Sequence, residues 1–166
     1  MNNEYKHITH SFPAVFDANS KVLILGSVPS VKSRERGFFY MHPQNRFWKV
    51  LSNIFNDDFL GDISDKKAKL LKHNIALYDV IESCDIIGSS DLSIKNVEPA
   101  YEVINRIIAN ADIKKIVLNG SKAATLFKNY FNFEGIDILY MPSTSPANAK
   151  MDLDDLVLIW KEIVNK

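Results

Sequence analysis

The sequence predicts an α/β protein, a three-layer α/β/α sandwich around a central four-stranded parallel sheet. Three observations predict it. Four short apolar runs, at residues 21–26, 75–80, 115–120 and 136–141, end against turn-forming or polar residues. Between them lie segments whose apolar residues recur at helical spacing. Each connection is also long enough for a crossover between parallel strands, which needs a dozen residues or more. Right-handed crossovers then put helices on both faces, and a ligand site is expected beyond the carboxyl ends of the strands.

The totals suit one domain spanning residues 1–166, a length that buries a proper core. An apolar fraction of 46% and a charged fraction of 24% are those of an ordinary globular protein. Twenty basic residues balance twenty acidic ones, which argues against a broad unspecific nucleic-acid surface and leaves room for a small basic patch. The single cysteine, Cys84, excludes an internal disulfide and fits a reducing compartment. No apolar run approaches a membrane span, and the first ten residues lack the apolar core of a secretory signal. A cytoplasmic, monomeric protein with no membrane association is expected.

In chain order, residues 1–20 read as an N-terminal arm anchored by Phe12 and Phe16. The first strand, residues 21–26, breaks at Gly26-Ser27-Val28-Pro29-Ser30. A basic loop then leads through Gly37, Phe38-Phe39-Tyr40 and His42-Pro43 to Asn45-Arg46-Phe47-Trp48. Phe47, Trp48, Leu51, Ile54 and Phe55 define a helix over residues 45–55. Residues 66–72 form a lysine-rich helix with Ser64 or Asp65 as its cap. The strand at 75–80 runs into Glu82-Ser83-Cys84-Asp85, and residues 88–93 are loop by composition. Val103, Ile104, Ile107 and Ile108 mark a helix over 99–109. The strand at 115–120 is followed by a helix through Ala124, Leu126, Phe127 and Tyr130. After the last strand, residues 142–148 form a loop, Pro-Ser-Thr-Ser-Pro-Ala-Asn, and a helix over 152–164 closes the chain with an acidic start.

The common catalytic signatures are missing. No Walker loop or dinucleotide fingerprint follows Gly26, and Ser27 and Ser30 lack the nucleophile elbow. His7 and His10 are the only histidines at ligand spacing, and their place in the arm makes a chance pairing the better reading than a metal site. Cys84 has no CxxC partner and reads as a small buried residue. What remains is a pocket. Phe38, Phe39 and Tyr40 read either as a stacking face for a planar ring or as core. Asn45 brings an amide that donates and accepts, and Ser143, Thr144 and Ser145 bring short hydroxyls suited to phosphate oxygens. Stacking walls with an amide reader are what a flipped nucleobase requires.

The spacing of these elements resembles the uracil-DNA glycosylase superfamily, on the branch shared by mismatch-specific and hypoxanthine-DNA glycosylases. The matching motifs are Gly26-Ser27-Val28-Pro29-Ser30, the block His42-Pro43-Gln44-Asn45-Arg46-Phe47-Trp48 and the loop Pro142 to Asn148, with Leu77-Tyr78-Asp79-Val80 and residues 88–96 between them. Two departures choose the branch. Val28 stands where mismatch-specific enzymes carry a water-holding asparagine, and Ser143 stands where the best-known uracil branch has a histidine. The resemblance therefore implies a monofunctional deoxyinosine glycosylase, without metal or cofactor, acting on double-stranded DNA that contains a deaminated base. It implies Asn45 as the catalytic residue, a base pocket of Gly26, Ser27, Val28, Phe39 and Tyr40, and DNA contacts from Ser30, Ser143, Thr144, Ser145, Pro146, Ala147 and Asn148. In this picture Pro146, Ala147 and Asn148 wedge into the gap left by the base. Arg46 reads equally as a phosphate contact or a structural ion pair. Asp79 reads as a site hydrogen-bonder or as a partner for loop amides, and Lys32, Arg34 and Arg36 as a local basic strip. The alternatives are a uracil or mismatch-specific glycosylase and, in a different class, a non-catalytic nucleotide-binding domain.

Overall fold

The computed structural model describes residues 4–165. Residues 1–3 of the expected arm lie outside the described residues. The four apolar runs become four strands, β2 (Val22–Gly26), β3 (Ile75–Asp79), β6 (Lys115–Asn119) and β7 (Asp137–Met141). They form one parallel sheet in the order β3-β2-β6-β7. Leu23, Ile24 and Leu25 in β2 and Ile116, Val117 and Leu118 in β6 are wholly buried, the continuous apolar pattern of strands covered on both faces.

That order carries the functional argument. From β2 the chain crosses one way to β3, then reverses past β2 to β6 and β7. Right-handed crossovers in opposite directions place their helices on opposite faces. One layer holds α1 (Val31–Arg36), α2 (Phe47–Phe55) and α3 (Ile63–Lys72), and the other holds α4 (Tyr101–Asn110) and α5 (Ser121–Tyr130). The last helix, α6 (Leu153–Trp160), returns to pack on α2, with Trp160 set edge-on to Phe47. The reversal lies between β2 and β6, so a crevice opens beyond Gly26 and Asn119.

Several elements differ from the sequence expectation. The arm contains β1 (Lys6–Thr9), which pairs antiparallel with β4 (Ile81–Ile86), and β4 pairs with β5 (Lys95–Pro99) in a second, three-stranded sheet. Val15 exchanges backbone hydrogen bonds with Leu77, covering the open edge of β3. The backbone beyond β2 holds this second sheet in place, because Gly26 and Ser27 carbonyls accept from the Val80 and Ile81 amides. Residues 31–36, read as basic loop, form α1, capped by Ser30 and closed by Gly37 at φ 73°. Asp62, two or three residues earlier than expected, caps α3. A 3-10 turn at Asp91–Ser93 interrupts the expected loop, and α6 gives way to another at Lys161–Val164. The acidic start of α6 is a capping box, Asp152 and Asp155 each accepting the other's backbone N–H.

Candidate active site

A cavity of about 310 Å³ opens at the carboxyl edge of the main sheet, at the small end of ligand pockets. It is lined by the turn after β2 (26–30), the aromatic loop as far as Asn45, the ends of β3 and β6 at Asp79 and Asn119, the segment at Ser89 and Asp91, and the loop 143–147. The first motif and the last loop therefore meet over one space.

They are joined by a hydrogen-bond chain that fixes Asn45. The Phe47 amide donates to Asn45 Oδ1 at 2.9 Å, in the manner of a helix cap for α2. The Thr144 hydroxyl donates to the same oxygen at 2.8 Å, and accepts from Asn119 Nδ2 at 3.1 Å. Asn119 Oδ1 in turn accepts the Thr144 amide at 3.1 Å. A backbone N–H can only donate, so the Phe47 contact settles which way the Asn45 amide points. Its oxygen is occupied, and its two Nδ2 donors are left for the cavity. Thr144, fully buried, is a support of the site and not a surface hydroxyl for phosphate.

Arg46 is neither of the two things its sequence position suggested. Its amide donates to the Thr144 carbonyl, and its guanidinium donates to the carbonyls of Thr144, Ser145, Asn148 and Met151. The five-donor fork holds the whole turn of the last loop in register. No carboxylate pairs with it among the described ion pairs.

The floor is built from both sheets. Asp79, at the end of β3, is almost fully buried, and its Oδ2 receives His10 Nε2 at 2.8 Å. His10 belongs to the arm, where the sequence alone shows no role for it. Its ring stacks on Tyr78 at 4.2 Å and meets Phe12 at 4.6 Å. A methyl group on Gly26 would stand 2.6 Å from Asp79 Oδ1 and 2.8 Å from Tyr40 Oη, so only glycine admits this approach. Tyr40 itself holds φ 54°, a costly conformation for a bulky side chain. Trp48 Nε1 donates to the carbonyls of Phe39 and Tyr40, and the Tyr40 ring stacks on Phe47 at 4.0 Å, which together hold the strained residue. Burial, and then the Asp79 carboxylate, push the Tyr40 phenol well above its usual range against the neighbouring Asn119 amide, which lowers it by favouring the phenolic oxygen as an acceptor, so the hydroxyl stays protonated.

The other sequence candidates fall as follows. Ser27 and Val28 line the cavity, with the Ser27 hydroxyl donating to Asp91 Oδ1 at 2.9 Å. The crowded setting raises the Asp91 carboxyl above the ordinary carboxylate range, against the Ser27 donor that lowers it. Phe39 is buried but reaches the lining, whereas Phe38 is core, stacked on Trp48. Ser30 caps α1, and Ser143 and Ser145 accept backbone amides of their own turn while still lining the cavity. Pro146 and Ala147 are exposed at the rim. Asn148 lies outside the lining and donates to the Ser143 carbonyl. Of the basic strip, Lys32 pairs with Glu35 and Arg34 donates to the carbonyls of Pro29 and Gly88, leaving Arg36 exposed. His10, Asp91 and Asn119 are the site residues that the sequence reading passed over.

Comparisons with known proteins agree with this geometry. The model of the uracil DNA glycosylase superfamily matches residues 13–164. A hypoxanthine DNA glycosylase of Methanosarcina acetivorans is 32% identical over 145 residues, covering 86% of this chain and 90% of that protein. One of Methanosarcina barkeri is 30% identical over 141 residues, covering 84% and 87%. Among solved structures, a candidate uracil DNA glycosylase from Methanosarcina acetivorans superposes with a TM-score of 0.71 at 28% identity, covering 93% of this chain and 97% of that one.

Proposed function

The chain belongs to the uracil DNA glycosylase superfamily and is a DNA glycosylase, and we propose that it hydrolyses the N-glycosidic bond of hypoxanthine flipped out of double-stranded DNA. The observation that carries the reading is the Asn45 amide, whose oxygen is tied down at both lone pairs so that its donors face the cavity.

Cleavage of the glycosidic bond leaves positive charge on the sugar and negative charge on the departing base. Donors already aimed at the base need no reorganisation as that charge appears, which is where preorganised sites gain most of their rate. Asn45 Nδ2 supplies such donors. The Asp91 carboxyl stands at the same cavity and, when ionised, is suited to the cationic sugar. Val28 lines the wall as an apolar surface and takes no part in handling water. The extruded base leaves a gap in the duplex, which the exposed Pro146 and Ala147 are placed to enter. Ser143 and Ser145, at the same rim, are within the segment that would meet the flanking phosphates.

The test is strand cleavage at the abasic product after alkaline heating. A hypoxanthine duplex is expected to be cut after incubation with the protein, and an undamaged duplex left whole. Cleavage of a uracil duplex with none at hypoxanthine would transfer the chain to the uracil branch. Tight base binding with no abasic product would make it a binding domain.

A further inference from the structure

Among the described residues, two buried side-chain polar atoms have no hydrogen-bond partner, His10 Nδ1 and Tyr40 Oη. Both belong to residues gathered around Asp79. Buried polar groups are nearly always satisfied, so the orphaned hydroxyl of Tyr40, a residue that lines the cavity, calls for an explanation in what the cavity holds, whereas His10 Nδ1 lies among aromatic rings outside the lining.

The orphan on His10 identifies its tautomer. If Nε2 carries the proton and donates to Asp79 Oδ2, the leftover Nδ1 is a bare acceptor. The opposite tautomer, or the imidazolium, would bury an unpartnered N–H among Phe12, Phe39 and Tyr78, which is worse. His10 thus takes one oxygen of Asp79 and leaves Oδ1 as an acceptor. That oxygen and the unused Tyr40 hydroxyl converge on the surface of Gly26, where no side chain intervenes. The floor of the cavity therefore offers one acceptor beside one donor.

We infer that Asp79 Oδ1 and Tyr40 Oη read the –NH–C=O edge of a deaminated base, with His10 as the positioning residue that orients Asp79. Deamination of adenine turns the bare ring nitrogen N1 into N1–H and the amino group into the O6 carbonyl. The donor and acceptor of that edge exchange places. Asp79 Oδ1 accepts from N1–H, and Tyr40 donates to O6. In adenine a lone pair at N1 would face the carboxylate oxygen, which has nothing to donate. Uracil carries the same edge at N3 and O4 and cytosine its inverse, so the device separates deaminated bases from their parents and not from one another. The inference rests on the glycosylase reading above and specifies which side chains select the base.

Tyr40→Phe decides it, because deleting an unpartnered hydroxyl leaves the fold intact or firmer. The expected result is a loss of about tenfold in single-turnover release of hypoxanthine from a duplex, with no fall in melting temperature, and a similar loss on any uracil release. A Tyr40→Phe protein with full activity would overturn the assignment. For His10, replacement by Gln keeps a donor toward Asp79 and is expected to hold activity within about threefold of the original. His10→Phe keeps the ring packing and is expected to lose tenfold or more. Equal activity of the two folded variants would remove His10 from the device. If the unaltered protein releases uracil and not hypoxanthine, the hypoxanthine reading fails while the same two comparisons, made on uracil, still judge the edge reader. Release of neither base overturns both.

Discussion

Thr144 donates its hydroxyl to Asn45 Oδ1 at 2.8 Å across 99 residues of sequence, and that bond, beside those of Arg46, joins the last loop of the chain to the first. It also means that the reactive end of Asn45 is its amide nitrogen. The two roles of this side chain, holding the Phe47 amide at the start of α2 and facing the cavity, sit on different atoms and separate by mutation.

Asn45→Asp keeps an oxygen for the Phe47 amide and the Thr144 hydroxyl, so the melting temperature is expected to stay close to that of the original. The donors become a carboxylate facing a base that is gaining negative charge. Release of hypoxanthine is expected to fall by about 10²–10³, the cost of losing one preorganised donor. Asn45→Ala should show the same rate loss and, in addition, a loss of roughly 1 kcal/mol in stability for the missing acceptor of the Phe47 amide and the Thr144 hydroxyl. Equal rates for Asn45→Asp and the unaltered protein would show that the donors are not used.

Thr144→Val preserves shape and removes the central hydroxyl. Asn119 Nδ2 then has no partner in a buried position, and Asn45 Oδ1 keeps only the Phe47 amide. The expected cost is about 1–3 kcal/mol in urea denaturation, from the stranded donor. The rate should fall with little change in DNA affinity, because Thr144 is wholly buried and acts through Asn45.

The main sheet was legible in the sequence because its strands are buried on both faces and read as apolar runs. The second sheet was not. β1 and β5 are mostly exposed, with Lys6, His7, Lys95, Asn96 and Glu98 on the outside, so neither carries a burial pattern to find. The polar sequence Val-Lys-Ser-Arg-Glu-Arg hid α1 for the same reason, although Ser30 ahead of it and Gly37 behind it are cap residues that could have exposed it. Asn45 and both loops were legible as motifs. Asn119 had a readable signal, an amide at the end of a buried strand in a sheet whose site lies at such ends. His10 had none, since its role depends on the pairing of β1 with β4, which brings it beside Asp79 from 69 residues away.

Arg46 tests the difference between a clamp and a DNA contact. A phosphate-binding arginine, once removed, lowers the salt dependence of DNA binding by about one counterion. Arg46 spends its donors on the carbonyls of Thr144, Ser145, Asn148 and Met151. Arg46→Met is expected to leave the salt slope unchanged, while the melting temperature falls and limited proteolysis cuts within residues 143–151. An unchanged melting temperature with a shallower salt slope would reverse the assignment.

Gly26→Ala would place a methyl group 2.6 Å from Asp79 Oδ1 and 2.8 Å from Tyr40 Oη, closer than such atoms tolerate. Asp79 is tied to His10, and Tyr40 is wedged on Phe47 and Trp48, so neither yields easily. Overpacking of this kind costs about 1–3 kcal/mol in stability. The rate is expected to fall by roughly 10²-fold, since a displacement near 1 Å at reacting groups costs that much. The check is the ratio of rate loss to stability loss, set against Leu23→Ala in the buried core, which should lower stability more and rate less.

Alkaline pH gives the last prediction, and its sign follows from burial. The Tyr40 phenol is raised above its usual range chiefly by burial, and the Tyr78 phenol by burial and by the hydrogen bond it donates to Glu82. In the unfolded chain both ionise near pH ~10. Between that value and their higher folded values, the native state holds protons that the unfolded state has released. Stability is therefore intact below pH ~10 and falls as pH rises beyond it, by up to about 1.4 kcal/mol per pH unit for each buried phenol. Urea midpoints measured from pH 9 to 11.5 should decline, and Tyr40→Phe should flatten the decline by removing one contributor, leaving Tyr78 and the Cys84 thiol, which burial also raises. The same proton keeps the Tyr40 hydroxyl a donor throughout, so single-turnover release at pH 9 is expected to show no loss traceable to Tyr40. A Tyr40→Phe curve parallel to that of the unaltered protein would mean that the phenol is open to solvent in the native state.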